Sequence, residues 1–175
     1  MEKRIFVAIP VSENLQDQVR SFADEYAELP VRWLRGKNLH ITLIPPWHTE
    51  DAGVIGDQLK NIAGKFAPFS INFSRVLYGP NPRSPRLIWA EGKTPKELLD
   101  LKKELSKILG QAPDVRPFVL HMTLARFRPE NFSKFPVKEI NEEVNWSEEV
   151  NSIVLMESHL SPSGADYEVL ERVEL

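Results

Sequence analysis

Hydrophobic positions along the chain follow two periods, and each change of period marks a change of predicted structure. Short runs rich in β-branched and aromatic residues predict strands, whereas apolar stripes spaced by three and four residues predict amphipathic helices. We therefore predict helices after Ser12, Thr49 and Thr94, and strands at residues 5–9, 38–44, 69–78, 86–91, 118–125, 150–159 and 166–174.

Capping and breaking residues predict where these elements begin and end. Pro45-Pro46 should end the second strand, because proline lacks the amide proton that a sheet ladder needs. Thr94-Pro95-Lys96-Glu97 has the pattern of a capping box, and Gly110 should end the helix that follows. Residues 128–147 are polar and weakly patterned, so we predict a long loop with a short helix there.

The layout of the first half returns in the second half. Ser12 and Thr94 each precede a predicted helix. The number of residues that separates them also separates other matching positions of the two halves. His40-Ile41-Thr42-Leu43 recurs as His121-Met122-Thr123-Leu124, at a separation one residue shorter than that of Ser12 and Thr94. A shared offset between helix caps and a histidine motif indicates a duplicated unit.

The duplication predicts the fold class and the division of the chain. We expect an α+β fold in which two lobes are related by a pseudo-twofold axis, each lobe being an antiparallel sheet covered by helices. The groove between the lobes should hold the active site. We expect one domain over residues 1–175, with repeats at about 1–82 and 83–164 and a closing strand at 165–175.

Composition narrows the possible chemistry. The chain has 175 residues, a formal net charge of −3 and no cysteine, so disulfide bridges, cysteine zinc sites and cysteine nucleophiles are excluded. Bulk charge does not favour a protein that coats nucleic acid, although a local basic groove stays possible. No apolar stretch approaches the length of a membrane span, and we expect a cytoplasmic protein that does not bind membranes.

The two His-x-Thr motifs carry the predicted chemistry. Side chains alternate along a strand, so each histidine shares a face with its threonine, while the neighbouring apolar residues take the other face. Of two imidazoles in one groove, one can be neutral and accept a proton while the other is protonated and donates one. This division suits in-line phosphoryl transfer, with Thr42 and Thr123 donating hydrogen bonds to phosphate oxygens. The chain shows no metal-ligand pattern or glycine-rich phosphate loop, so we expect neither a metal nor a cofactor.

Other polar and aromatic residues are weaker candidates for substrate contacts. Arg126 follows the second histidine by five residues, so strict alternation turns it to the opposite face, and a phosphate contact requires its length or a bulge. Arg32, with Arg35 and Lys37, could line a path for RNA, although a solvated loop explains them equally well. Trp33 could stack on a base or pack in the core. His48 and His159 lack a threonine partner, and we assign them structural or surface roles.

At these motifs the chain resembles the 2H phosphoesterases, and within them the RNA 2',3'-cyclic phosphodiesterases, also called 2'-5' RNA ligases. The resemblance rests on both motifs and on several flanking runs. Leu120 precedes the second histidine where the family usually has proline. The flanking runs are Arg4-Ile5-Phe6-Val7-Ala8-Ile9, Val31-Arg32-Trp33, Leu87-Ile88-Trp89-Ala90, Ala125-Arg126, Glu157-Ser158 and Gly164 before Tyr167.

The resemblance implies hydrolysis of a terminal 2',3'-cyclic phosphate on RNA to a 2'-phosphate, and reversible joining of ends in tRNA-like fragments. It implies that His40 is the proton donor and His121 the proton acceptor. Expected partners are such RNA ends and small cyclic nucleotides, and we expect a monomer. Two alternatives stay open: a phosphodiesterase for another small cyclic or 2'-5' nucleotide ester, and a non-catalytic RNA-binding module.

Overall fold

The structure is a computed structural model that describes residues 1–112 and 115–175. Three α-helices, α1 (Glu13–Glu25), α2 (Ala52–Leu59) and α3 (Lys96–Ile108), are combined with nine strands. Short 3-10 turns lie at Gly36–Asn38, Lys60–Ile62 and Pro129–Lys134. The strands are β1 (Lys3–Pro10), β2 (Arg32–Trp33), β3 (His40–Thr49), β4 (Phe69–Gly79), β5 (Leu87–Glu91), β6 (His121–Arg126), β7 (Asn141–Val150), β8 (Ser152–Ser161) and β9 (Gly164–Glu174).

The strands form two antiparallel sheets. The four-stranded sheet has the order β3-β1-β8-β9, and the five-stranded sheet has the order β2-β6-β5-β4-β7. The segments β3-β1-β8 and β6-β5-β4 correspond to each other at offsets close to that of the sequence repeat. The predicted α+β class with two related lobes is therefore confirmed.

The lobes are not contiguous halves of the chain. The last strand of the first half, β4, lies in the five-stranded sheet, and its counterpart β8 lies in the four-stranded sheet. Strand β2 of the first half also lies in the five-stranded sheet, so each half contributes strands to the sheet of the other, which ties the two lobes together. The repeat boundaries at 1–82 and 83–164 stay a prediction.

The predicted apolar stripe of α1 is buried. Leu15, Val19 and Phe22 are at most 7% exposed, and the Phe22 ring lies 5.8 Å from that of Trp146 on β7. The Ser12 side chain caps this helix by accepting a hydrogen bond from the Leu15 amide at 3.3 Å. Helix α1 therefore follows a strand of one sheet but packs against the other.

Two helix starts differ from their predictions. Helix α3 begins after Pro95 without a side-chain cap, because the Thr94 hydroxyl instead accepts a hydrogen bond from the Leu120 amide at 2.9 Å. The predicted capping box is therefore wrong, although Gly110, at φ 61°, does follow the helix end. The second helix was predicted to open at Thr49 with Glu50 and Asp51. Asp51 does cap it, but Thr49 closes β3 instead, and the helix ends at Leu59.

Two strand predictions were wrong for identifiable reasons. Strand β3 continues through Pro45 and Pro46 to Thr49, because it is the edge strand of its sheet and both prolines are exposed. Residues 128–147 contain the predicted short helix, a 3-10 turn, but also most of β7. Strand β7 is an edge strand whose first three residues are exposed and whose buried position 148 is a glutamate, so the apolar alternation that marks a half-buried strand is incomplete in its sequence.

Burial separates the two faces of β1. Ile5, Val7 and Ile9 belong to the main core, whereas Phe6 and Ala8 pack on the opposite face with β8.

The helices in the described part of the chain are too short or too polar to span a membrane.

Candidate active site

Both predicted histidines are the first residues of their strands. His40 begins β3 and His121 begins β6. These two strands belong to different sheets and contact each other where the sheets meet. A backbone hydrogen bond from the Leu34 amide to the Leu124 carbonyl, 2.8 Å long, holds the segment after β2 against β6. The two motifs therefore meet at the junction of the lobes.

The two imidazoles are held in the same way. His40 Nδ1 lies 2.8 Å from the carbonyl oxygen of Asn38, and His121 Nδ1 lies 2.8 Å from that of Val119. Because a carbonyl can only accept, each Nδ1 carries a proton and donates it. In the neutral ring this leaves the lone pair on Nε2, which has no hydrogen-bond partner within residues 1–112 and 115–175.

An aromatic ring from the neighbouring central strand lies beside each imidazole. The Phe6 and His40 centroids are 4.9 Å apart with an interplanar angle of 47°, and those of Trp89 and His121 are 4.7 Å apart at 44°. The near-identical geometry extends the duplication to the environment of both histidines. Neither aromatic residue was among the predicted site residues, although the interval between Phe6 and Trp89 is close to that between the two histidines.

A bulge in β6 decides where Arg126 points. Trp89 pairs with Thr123 but Ile88 pairs with Ala125, so Leu124 has no partner and the alternation shifts by one residue. Arg126 pairs with Leu87, which shares a face with Trp89. The bulge therefore brings Arg126 to the face of His121 and Thr123, and the condition for a phosphate contact is met.

The first motif has the equivalent bulge but no equivalent arginine. In β3 the unpaired residue is Leu43, since Ala8 pairs with Thr42 and Val7 with Ile44. When the two motifs are aligned on their histidines, Pro45 takes the position of Arg126. The site is thus symmetric in its histidines and threonines and asymmetric in its positive charge.

A second asymmetry lies around His40. The buried Asn38 side chain donates to the Ala165 carbonyl and accepts from the Tyr167 amide, both at 3.3 Å. The Tyr167 ring then stands edge-on to His40 with a centroid distance of 5.0 Å. At the equivalent of Asn38, Val119 is 47% exposed and its side chain cannot make such bonds. Asn38 therefore fixes both the imidazole and the ring that covers it.

This environment keeps His40 neutral. The pKa of His40 is lowered from 6.5 to about 4, mainly because burial disfavours the charged ring. The hydrogen bond to Asn38 acts in the opposite direction, while Coulombic interactions with Arg126 and His121 lower the pKa further. These electrostatic effects also require both residues to lie near His40.

The weaker candidates Arg32 and Trp33 form β2, which pairs with β6. Together with Arg126 and Tyr167 they line a pocket of about 430 Å³ beside His40. Trp33 also packs on the core, with its ring 6.4 Å from that of Phe22, so both roles considered for it are compatible. Sequence patterns missed Tyr167 as a site residue, because only the folding of β9 onto the segment before β3 brings it there.

The remaining histidines lie outside the paired motifs. His48 is exposed on β3, and His159 on β8 is within 3.3 Å of a Glu168 carboxylate oxygen. Glu157, His159 and Glu168 place possible metal-ligating atoms within 4.8 Å of one another, but Glu157 already binds the Lys3 ammonium at 2.6 Å. This group includes neither catalytic candidate.

Comparison with known proteins places the chain in a family. The family model described as the 2'-5' RNA ligase superfamily matches residues 11–162, a span that contains both motifs. The chain belongs to this superfamily. The recognition of a 2H phosphoesterase from its two motifs is confirmed.

Individual relatives cover nearly the whole chain. A protein of Archaeoglobus fulgidus named RNA 2',3'-cyclic phosphodiesterase is 32% identical over 178 residues, which cover 98% of this chain and 99% of the relative. The crystal structure of TT0787 from Thermus thermophilus matches with a TM-score of 0.78 at 23% identity, covering 98% of this chain and 97% of that one. Escherichia coli LigT complexed with 3'-AMP matches with a TM-score of 0.77 at 24% identity, covering 100% and 99%. Both structures share the fold of this chain.

Proposed function

We propose that the protein hydrolyses terminal 2',3'-cyclic phosphates on RNA to 2'-phosphates, using His40 and His121 as a general acid–base pair. The observation that carries this proposal is the equivalent anchoring of the two histidines, each of which keeps Nε2 free for substrate. The names of the relatives support the substrate class. We also propose that the protein acts as a monomer in the cytoplasm.

In the proposed reaction the phosphate lies between the two Nε2 atoms. His121 takes a proton from water, whose oxygen attacks phosphorus while the bond to the 3'-oxygen breaks on the opposite side. His40 gives its proton to the leaving 3'-oxygen, so the product carries a 2'-phosphate and a 3'-hydroxyl. Thr42, Thr123 and Arg126 would stabilise the charge that develops on the non-bridging oxygens. A 5'-hydroxyl in place of water would give a 2'-5' linkage.

The donor role of His40 requires it to gain a proton with the substrate. With a pKa of about 4 the ring is neutral in the empty site near pH 7, and a neutral ring with its lone pair on Nε2 cannot donate from that atom. An anionic phosphate placed beside the ring favours its charged form. We therefore propose that substrate binding and protonation of His40 occur together.

The test uses nucleoside 2',3'-cyclic phosphates and RNA ending in a cyclic phosphate, incubated in excess EDTA, with the monoester identified by NMR. We expect the 2'-phosphate to form, with loss of about 10²-fold or more in His40→Ala and His121→Ala. Thr42→Ala and Thr123→Ala should lose about 10- to 100-fold, because each removes one of several phosphate hydrogen bonds. Binding without turnover would instead identify a non-catalytic RNA-binding module, and a strict need for a divalent ion would contradict the mechanism.

A leaving group that needs no proton separates the two roles. With an aryl phosphodiester, His40→Ala should recover much of the lost rate, whereas His121→Ala should stay impaired, since water must still be activated. Recovery in His121→Ala alone would reverse the assignment. Equal behaviour of both variants would leave the donor and acceptor labels without support.

A further inference from the structure

The pocket beside His40 differs in charge from the rest of the site. It lies between β2, the end of β6 and the turn that joins β8 to β9, and it has a volume of about 430 Å³. Three arginines line it, Arg32, Arg35 and Arg126, together with the aromatic residues Trp33 and Tyr167. Cationic and aromatic groups around one cavity are typical of sites for nucleotides.

The positive charge of this pocket is not neutralised by the protein. Within the described parts of the chain, Arg35 and Arg126 have no ion pair or side-chain hydrogen bond, and Arg32 donates only to a backbone carbonyl at 2.9 Å. The acidic residue in the lining, Asp166, binds Lys37 at 2.7 Å, and this lysine lowers the pKa of the carboxyl group. The guanidinium groups of Arg32 and Arg35 are thus left to a second anion from outside, and Arg126, which is proposed to bind the reacting phosphate, borders the same pocket.

We propose that this pocket binds a second phosphate group, the 5'-phosphate of the nucleotide whose cyclic phosphate reacts. The proposal rests on the proposed function and extends it to the choice of substrate. The pocket adjoins the reacting centre, because Asn38 and Tyr167 line it and both contact His40. A 2',3'-cyclic phosphate ends its strand, so the nearest other phosphate is on the 5' side of the same nucleotide. Guanidinium groups are well suited to bind it by charge-assisted hydrogen bonds.

The sequence repeat gives this proposal a direction. The equivalent of Arg126 in the first motif is Pro45, so the duplicated site carries its arginine on one side only. A nucleotide with phosphates at both ends would therefore bind in one orientation. The protein should then prefer RNA ends and 5'-phosphorylated cyclic nucleotides over cyclic nucleosides that lack the second phosphate.

The test compares adenosine 2',3'-cyclic phosphate with its 5'-phosphorylated form. We expect kcat/KM to be about tenfold or more higher for the 5'-phosphorylated substrate, as befits a charge-assisted hydrogen bond. The ratio of the two values should fall at least about fivefold in Arg32→Gln and in Arg35→Gln. Lys107→Gln, which removes a positive charge from the exposed end of α3, is the matched control and should keep the wild-type ratio.

The outcomes separate this proposal from the proposed function. Equal kcat/KM for both substrates in the wild type, or an equal fall of the ratio in Lys107→Gln, overturns the second phosphate site while hydrolysis itself stands. If neither substrate is hydrolysed, the proposed function fails, and calorimetric titration with adenosine 5'-phosphate decides about the pocket. Affinity weakened about fivefold or more in Arg35→Gln supports the site, and unchanged affinity overturns it.

Discussion

Acid should destabilise this protein through His40. The folded environment lowers the pKa of that imidazole to about 4, whereas in the unfolded chain it is solvated and keeps its ordinary value near 6.5. Between these two pH values the unfolded chain binds a proton that the folded protein does not. The free energy of unfolding therefore falls as the pH drops from 6.5 to 4, and below pH 4 the full penalty of protonating the folded ring applies.

The size of the effect follows from the two pKa values. They are 6.5 and about 4, and each pH unit between them is worth about 1.4 kcal/mol, which gives roughly 3 kcal/mol for protonating His40 in the folded state. Single domains are commonly stable by only about 5–15 kcal/mol, so this loss is a large share of the total. Above pH 6.5 the ring is mostly neutral in both states and contributes little to the pH dependence.

Urea unfolding near pH 7 and near pH 4.5 measures this contribution. The free energy of unfolding should fall by about 2–3 kcal/mol more in the wild type than in His40→Gln, which lacks the titrating group. His121→Gln is the matched control from the second motif, because His40 is intact in it and the fall assigned to His40 must persist. Equal falls in the wild type and in His40→Gln would refute the argument that burial of this ring controls its protonation.

Two further variants test contacts around the site and in the sheet. Asn38→Ala should lower kcat by about tenfold with a smaller change in KM, because it releases the hairpin that holds Tyr167 against His40. In an NMR titration of this variant, the pKa of His40 should rise from about 4 toward 6.5 as burial decreases. Gly92→Ala should destabilise the fold by about 3 kcal/mol in urea unfolding, because its Cβ would overlap the Asn72 carbonyl oxygen.

The controls for these two variants are conservative. Asn38→Asp keeps the acceptor for the Tyr167 amide and should recover part of the lost rate, and an unchanged His40 titration in Asn38→Ala would contradict the positioning role. Gly53→Ala adds a methyl group in α2, where the contact is 3.4 Å from a side-chain oxygen, and it should be neutral or slightly stabilising. Equal stability of the Gly92 and Gly53 variants would contradict the predicted clash.

The sequence predicts the paired motifs and the fold class because both depend on local pattern and on repetition. The apolar stripe of α1 and the alternation through His40 and Thr42 are visible within a few residues. The prolines in β3 were misread because the pattern does not tell an edge strand from a central one. The role of Thr94 was misread because its hydroxyl binds the Leu120 amide, far along the chain, instead of capping α3.

The position of Arg126 shows a different limit of sequence analysis. Strict alternation turns it away from the site, and only the bulge at Leu124 returns it. The same bulge at Leu43 in the first motif is visible in the strand register but not in the residues themselves. A bulge adds no apolar signal of its own, so contacts that depend on it require the structure.

Duplication alone cannot make a catalyst that needs one donor and one acceptor. The features that the repeat preserves, the Nδ1 hydrogen bonds and the aromatic neighbours, make the two histidines equivalent. The features that distinguish them all come from positions where the halves differ. In the repeat, Asn38 corresponds to Val119, and Pro45 corresponds to Arg126. Tyr167 contacts His40, whereas the imidazole of the second motif has Trp89 as its aromatic neighbour within the described residues. These differences cover one ring with Tyr167, place a positive charge on one side of the groove and so make the two copies of the motif inequivalent, as the proposed donor and acceptor roles require.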